Sequence, residues 1–453
     1  MPSVFIKTYG CQMNERESEQ VAARFVAEGY TLTQDENEAD VYLINTCSVR
    51  EKAELKALGK MGLMCSRPNA KPWVVYGFMG CMCQSLGEAI FKEVPRVDIV
   101  TGTQQYHHVF ELCNRLLKSR LGMGLSEPLR KGAHICSIVE EQGFQNTVVD
   151  HLPNTSSCSA FVSIAQGCDM HCSYCIVPST RGAEVSRPHA DIIDEIKKLA
   201  YKGIKEVTLL GQIVNRYGRT EPVIDGKGAF VRLLEAVHEI DGIERIRYTS
   251  PHPIGFREDL VNAYTYLPKL CSHIHFPMQS GSDRILKAMY RPYKNEKYLA
   301  LCDAMRAARP DLSITTDIIV GFPGETEEDF QETVKAVEHV QFDNAFIFKY
   351  SRRRGTVAAE LPGQIHYREK ERRNQALLEV VNRIAVARNQ ALVGTQQTIL
   401  VEGPSKTNPD RLQGRTSQNK PVIITNGGGK VGTLIPVTIT ECTGFTLYGE
   451  ASV

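Results

Sequence analysis

Three cysteines in the run Cys168-Asp-Met-His-Cys172-Ser-Tyr-Cys175 have a spacing that could share one metal cluster. Thiolates in C-x3-C-x2-C order can wrap a cubane on a tight loop. Three ligands leave the fourth iron open, and an open iron can bind a small chelating molecule. Zinc is the competing reading, but structural zinc sites want four ligands in paired C-x2-C units. His171 could be a fourth ligand, yet it lies inside the loop beside Cys172. Chance spacing of core cysteines is the third reading.

A second group lies in Tyr9-Gly10-Cys11-Gln12-Met13-Asn14, Asn45-Thr46-Cys47-Ser48-Val49-Arg50 and Gly80-Cys81-Met82. Each cysteine alone could be a small buried hydrophobe. All three follow the end of an apolar strand, so they could meet and hold a second cluster. Three turns are rich in Gly and polar residues: Gly211-Gln212-Ile213-Val214-Asn215, Gln279-Ser280-Gly281-Ser282 and Gly321-Phe322-Pro323-Gly324. Glycine lets backbone amides approach a cofactor closely, although ordinary turns favour the same residues. His252, His273 and His275 read as packing or hydrogen-bonded histidines rather than ligands. Ser351-Arg352-Arg353-Arg354-Gly355-Thr356 is a basic run that reads either as a solvated loop or as a phosphate contact.

The elements that must position these residues are legible as strand–helix alternation. Positions 3–8, 40–45 and 73–76 read as strands, with helices over 14–29 and 51–62. Such alternation implies an open parallel α/β sheet, whose ligand sites gather at the C-terminal ends of its strands. A second series begins near Ala160, with strands at 161–164, 206–210, 246–249, 272–276, 313–320 and 345–349. Six β/α units suggest a partial barrel, and its active site would lie at the same kind of edge. A charged amphipathic helix spans 369–388. Short strands at 396–401, 421–424, 434–440 and 446–451 then read as a small all-β barrel. The expected divisions are 2–118, a linker at 119–153, 154–388 and 389–453.

The chain has 453 residues, too many for one ordinary core. Lys+Arg 53 against Asp+Glu 52 gives a net charge of +1, so any nucleic-acid site must be a local patch. No signal peptide or membrane span is read from the sequence, so a soluble, cytoplasmic protein is expected. With 14 cysteines and that location, metal ligation, catalysis or plain burial is expected rather than a disulfide framework.

Gly167-Cys168-x3-Cys172-x2-Cys175 resembles the signature loop of radical S-adenosylmethionine enzymes. The motifs around Cys11, Cys47 and Cys81 resemble the N-terminal domain of their methylthiotransferase family. Positions 401–406 and 412–416 resemble the TRAM domain, a small RNA-binding barrel. The likeness runs from about residue 3 to 450. It departs at Cys83, where a small residue is usual, at Ile213 for a usual Asn, and at Arg354 and Val357 for usual prolines. The resemblance implies two 4Fe-4S clusters, one on Cys168, Cys172 and Cys175 and an auxiliary one on Cys11, Cys47 and Cys81. It implies S-adenosylmethionine contacts from Tyr174, Gln212, Asn215, Gln279, Ser280 and Gly321, and RNA contacts from Arg353, Lys406 and Arg415, with Arg411 and Lys420 in the same patch.

The implied reaction is methylthiolation at C2 of N6-isopentenyladenosine at position 37 of a transfer RNA. One S-adenosylmethionine would give the methyl group and a second would be the radical source. Implied partners are the isopentenylated tRNA, an electron donor such as a flavodoxin or ferredoxin, and sulfur and cluster assembly proteins, with the chain a monomer. The alternatives are a sibling acting on another tRNA base or a ribosomal protein, and a non-catalytic iron–sulfur RNA-binding protein. An aryl C–H bond is too strong for general acid–base chemistry, which fits the lack of any expected Ser/His/Asp set.

Overall fold

The computed structural model describes residues 1–48, 51–140, 158–426 and 429–451. Val49, Arg50 and positions 141–153 of the expected linker lie outside them. Contacts divide the chain into two units. The first is Met1–Thr155 with Gln166–Met170 and Ile176–Arg187; the second is Ser156–Ala165, His171–Cys175 and Pro188–Val453. No helix among the described residues is long and apolar enough to cross a membrane.

In the first unit, apolar runs build a six-stranded parallel sheet from β1 (Ser3–Tyr9), β2 (Thr31–Leu32), β3 (Val41–Thr46), β4 (Val75–Met79), β5 (Ile99–Thr101) and β6 (Ile135–Ser137), in the order β2-β1-β3-β4-β5-β6. All six residues of β3 and all five of β4 are buried, as expected for strands covered on both faces. The covering helices are α1 (Gln12–Ala27), α2 (Glu51–Cys65), α3 (Cys81–Leu86), α4 (Ala89–Glu93) and α5 (Val109–Gly122). The register sets where the strands end. Tyr9 pairs with Thr46 and Asn45 pairs with Met79, so the central strands end level and their next residues emerge together.

The expected linker at 119–153 is corrected in its first part. α5 continues to Gly122, and β6 is an edge strand of the sheet. Ala133 donates its N–H to the buried Asp98 carboxylate (2.9 Å), which also pairs with Arg120. A Cβ on Gly132 would lie 2.1 Å from the Val97 carbonyl oxygen. The glycine thus serves a close backbone approach rather than a flexible tether.

The second unit begins with β7 (Ser159–Ser163). The short strands β8 (Ala165–Gln166) and β9 (Val185–Ser186), all but Ala165 in the first unit, flank the cysteine loop. Then come β10 (Glu206–Leu210), β11 (Arg245–Tyr248), β12 (His273–His275), β13 (Ser313–Val320) and β14 (Asn344–Lys349). The ladders form two parallel three-stranded sheets, β11-β10-β7 and β12-β13-β14. Ile246 bridges them, donating to the Lys269 carbonyl and accepting from the Cys271 N–H (2.8 and 3.0 Å). The six expected barrel strands are thus present in sequential order. Val207, Ile246, Ile274, Ile314 and Ile318 form one core with helix residues such as Leu234, Val337 and Leu377.

The C-terminal strands β15 (Gln396–Pro404), β16 (Leu412–Thr416), β17 (Pro421–Ile424), β18 (Leu434–Thr443) and β19 (Thr446–Ala451) close into a barrel. This small barrel belongs to the second unit. The buried guanidinium of Arg245 donates to the Arg415 and Thr398 carbonyls (2.7 and 2.8 Å), and that of Arg247 to the Ser417 and Thr416 carbonyls (both 2.9 Å). Lys420 departs from its expected place on a phosphate-facing patch. Its Nζ is buried against Asp343 (2.8 Å) and Asn389 (2.5 Å). It docks the small barrel rather than facing RNA.

Burial pushes the Asp343 carboxyl up, but Lys420 and Arg388 beside it hold it below the usual range. Removing the carboxylate would strand a buried cation. Asp343→Ala is expected to lower stability by about 3–5 kcal/mol in urea unfolding; an unchanged midpoint would refute the docking role. A depressed carboxyl stabilises above its unfolded pKa, and that contribution is lost as pH falls through the folded value. The difference between wild type and Asp343→Ala should therefore shrink below about pH 4.

Candidate metal and cofactor centre

Cys11 follows β1, Cys47 follows β3 and Cys81 follows β4, so the level strand ends bring three thiols together. The Cys47 thiol hydrogen-bonds both Cys11 and Cys81. This bond is the main cause that lowers Cys11 to about 5 and pulls Cys81 below the usual thiol range, with the Arg181 cation adding to both. The same bonds to Cys11 and Cys81, and burial, push the Cys47 thiol up. Cys47 and Cys81 are buried and Cys11 is exposed. Cys11 also caps α1, where the helix's unpaired N–H groups favour a thiolate.

Asparagines knit the three turns. Asn14 accepts from the Cys11 N–H (3.3 Å), lies 3.4 Å from the Cys11 sulfur, and donates to the Asn45 side chain (2.9 Å). Asn45 in turn donates to the Asn14 carbonyl (2.8 Å) and Ser18 (3.1 Å). A Cβ on Gly10 would lie 2.4 Å from Asn14 Oδ1, and one on Gly80 2.4 Å from Asn45 Oδ1. Arg181, at the end of α6 (Val177–Arg181), makes a buried ion pair with Glu17 of α1 (2.7 Å). Burial pushes the Glu17 carboxyl up, against the pull of Arg181. Thr103 donates to the Thr180 carbonyl (2.5 Å), which fixes this segment within the first unit.

Cys83 lies elsewhere. It is fully buried in an apolar cluster with Ile90, Phe91 and Val100, and burial drives its thiol well up. That environment suits a packing cysteine and not a thiolate ligand.

In the loop, Cys168 lies in the first unit, and Cys172 and Cys175 in the second. The Cys168 sulfur accepts from the Met170 N–H (3.4 Å), and the Cys172 sulfur accepts from the Arg291 guanidinium (3.6 Å). Among the described residues no three or more His, Cys, Asp or Glu side chains are grouped to hold a metal ion. A cubane does not need that grouping, because each thiolate binds a different iron. Thiols converging on shared hydrogen bonds, and sulfurs met by N–H donors, fit iron–sulfur ligands.

The expected cofactor residues divide. Tyr174 packs edge-on to Phe322 (6.5 Å, 80°). Gln212 Oε1 and His252 Nε2 are buried without partners among the described residues, so this edge retains an acceptor and a donor for a polar ligand. Burial, with Arg291 and Arg216 nearby, pushes His252 down to about 2, so the ring is neutral. Asn215 is committed instead to the His252 backbone, donating to its carbonyl (2.9 Å) and accepting from its N–H (2.8 Å). Ser280 accepts from the Ser282 N–H (3.2 Å) and lies 3.4 Å from the Thr333 hydroxyl. Gln279 adopts φ 70 and Gly321 φ 70. The Gly321 N–H reaches buried Glu325 (2.9 Å), which pairs with Arg373 (2.6 Å).

Sequence reasoning read His275 as a packing or hydrogen-bonded histidine, and it is hydrogen-bonded, but did not single out Asp317 and Phe346 beside it, on the strand face turned from the core. His275 lies 3.3 Å from Asp317 and 3.0 Å from the Thr315 hydroxyl, beside the exposed ring of Phe346. Alternation along β13, with Ile314 and Ile318 in the core, was the available signal. At the RNA-directed positions, Lys406 and Arg411 are exposed. Arg415 pairs with Glu402 (3.2 Å), and the Arg353 carbonyl caps Thr356 (2.8 Å).

Residues 3–102 match the uncharacterized protein family UPF0004, 162–337 the radical SAM superfamily and 390–452 the TRAM domain. A relative from Akkermansia muciniphila, named tRNA-2-methylthio-N(6)-dimethylallyladenosine synthase, is 63% identical over 451 residues, covering 99% of this chain and 98% of its own. Relatives of the same name from Methylacidiphilum infernorum and Opitutus terrae are 50% and 48% identical, covering 99% of this chain and 94% and 97% of theirs. Among solved structures, a radical S-adenosylmethionine methyltransferase from Kitasatospora setae with cobalamin and a 4Fe-4S cluster superimposes with a TM-score of 0.54. It is 13% identical and covers 79% of this chain and 77% of its own. A cobalamin-dependent S-adenosylmethionine radical enzyme gives 0.53 at 12% identity, covering 84% and 56%. These two likenesses show the fold.

Gly80→Ala tests the level strand ends. At φ 101 the substitution is strained as well as crowded, so a loss of about 1–3 kcal/mol is expected. Mild oxidation of the metal-free protein should cross-link Cys47 to Cys81 or Cys11 readily in wild type and slowly in Gly80→Ala. Equal rates in both would contradict the described convergence.

Proposed function

The chain belongs to the family of tRNA-2-methylthio-N(6)-dimethylallyladenosine synthases, and we propose that it methylthiolates C2 of N6-isopentenyladenosine at position 37 of transfer RNA. The observation that carries this reading is the meeting of Cys11, Cys47 and Cys81, in addition to the C-x3-C-x2-C loop of a radical enzyme. One cysteine set would suffice to generate a radical. A second set supports a separate sulfur-donating centre, so we assign two 4Fe-4S clusters. When bound, the clusters and two molecules of S-adenosylmethionine supply the methyl group, the sulfur and the one-electron chemistry that an aryl C–H bond requires.

The chain's own residues position and exclude. Tyr174, Phe322 and Tyr350 form an aromatic wall beside the loop, with Phe322 and Tyr350 buried and 5.2 Å apart. Gln212 and His252 offer the unpaired acceptor and donor for the polar groups of S-adenosylmethionine. Phe346 offers a stacking face for a purine, and Asp317 an acceptor for an amino hydrogen. Lys406, Arg411 and Arg353 supply the charge for backbone phosphates. Arg415 contributes less charge because Glu402 offsets it. Electrons come from a low-potential carrier such as a flavodoxin or ferredoxin, and sulfur and cluster assembly proteins load the sites of a monomer acting in the cytoplasm.

Mass analysis of nucleosides from isopentenylated tRNA tests the reading, after anaerobic incubation with the loaded protein, S-adenosylmethionine and a reductant. A methylthio gain is expected, lost in Cys175→Ala and in Cys47→Ala. 5′-Deoxyadenosine should persist only in Cys47→Ala. A loaded protein that forms neither product would overturn the reading. For RNA contacts, Lys406→Ala is expected to weaken tRNA binding and flatten the salt dependence of log K by about 1. An unchanged slope would remove Lys406 from the interface.

A further inference from the structure

The segment after α10 (Asp283–Ala288) carries a guanidinium to the cysteine loop. Tyr290 adopts φ 58, the left-handed region that side chains rarely enter, at a cost of roughly 1–2 kcal/mol. This turn lets the Arg291 N–H reach the Leu286 carbonyl (2.9 Å) and aims the side chain back at the loop. The loop is tied to the same turn, because Ser173 donates its N–H to the Met289 carbonyl (3.1 Å) and its hydroxyl to the Ala288 carbonyl (2.8 Å).

Arg291 is held on three sides. Its Nη1 lies 3.6 Å from Cys172 Sγ, its Nε donates to the Tyr293 hydroxyl (3.2 Å), and its plane lies over the Tyr293 ring (5.2 Å). Tyr293 donates to the Met278 carbonyl (3.0 Å) and stacks on buried Tyr298 (6.4 Å, 26°). Among the described residues no carboxylate pairs with Arg291. Arg181, beside Cys11 and Cys81, is instead neutralised by Glu17. An arginine therefore meets each cysteine set, one paired with a carboxylate and the other, among the described residues, not.

We propose that Arg291 is a positioning residue that donates to the Cys172 thiolate and raises the reduction potential of the cluster bound there. The inference rests on the proposed radical function and goes beyond it. A fixed positive charge and an N–H···S bond both favour the more negative redox form. The step is the transfer of one electron from an external low-potential donor to the cluster. No bond breaks and no proton is required. Arginine suits the place because it stays charged when desolvated and presents a rigid fork.

The test is a redox titration of the loaded full chain, followed by the electron paramagnetic resonance signal that changes when S-adenosylmethionine is added. At a fixed poise near the wild-type midpoint, Arg291→Gln is expected to lower the reduced-to-oxidised ratio about tenfold, which is about 59 mV for one electron. Arg291→Lys should restore part of it. Should Arg291→Gln fail to hold iron, Tyr293→Phe removes the hydroxyl that orients Nε and should shift the ratio about threefold in the same direction. An unshifted ratio in an iron-replete Arg291→Gln protein would overturn the proposal. So would an unshifted ratio with weakened S-adenosylmethionine binding, which would make Arg291 a cofactor ligand. If wild type has no such responsive signal, it is the radical reading itself that fails.

Discussion

Parallel register is the constraint on which the candidate centre depends. Cys11, Cys47 and Cys81 come from three separate strand–turn segments, and nothing local holds them together. They meet because Tyr9 pairs with Thr46 and Asn45 with Met79. A slip of one residue would turn Asn45 to the opposite face, away from Asn14 and Ser18, and take the end of β3 out of level with β1 and β4. The asparagine links between the turns then fix what the register has brought close.

Charge is handled differently at the two cysteine sets. The first lies by an arginine already paired with glutamate and at the N-terminus of α1. The second has an arginine that meets a cysteine sulfur and, among the described residues, no carboxylate. Elsewhere, buried cations serve attachment. Arg245 and Arg247 lend their donors to carbonyls of the small barrel, and Lys420 meets Asp343. The barrel that resembles an RNA-binding module is therefore fastened by basic residues. Lys406 and Arg411 of the same barrel stay exposed.

Much of this was legible in the sequence, because the long strands carry strong apolar runs. β10 and β13 match their expected spans, and most other expected strands lie within a residue or two. What escaped has a physical reason in each case. β2, β5 and β6 have two or three residues, too few to show a period. Gly132 looked like a linker residue because a glycine required for close approach and a flexible one look alike in sequence. The charge of Lys420 does not announce a buried partner in another element. The Arg291 contact depends on a tyrosine in a left-handed turn, which no propensity favours. The convergence of Cys11, Cys47 and Cys81 was legible because strand ends pointed to it, whereas Asn215 and Ser280 sat in plausible motifs but bond within the protein, Asn215 to the distant His252 backbone and Ser280 to the Ser282 N–H and the Thr333 hydroxyl.

The level strand ends should hold a cluster of their own. Iron and acid-labile sulfide, measured on the anaerobically loaded chain and on the Cys11→Ala/Cys47→Ala/Cys81→Ala variant, test this most directly. The expected contents are about eight irons in wild type and about four in the variant, as two cubanes and one require. About four irons in wild type, or a variant that keeps the wild-type content, would contradict it.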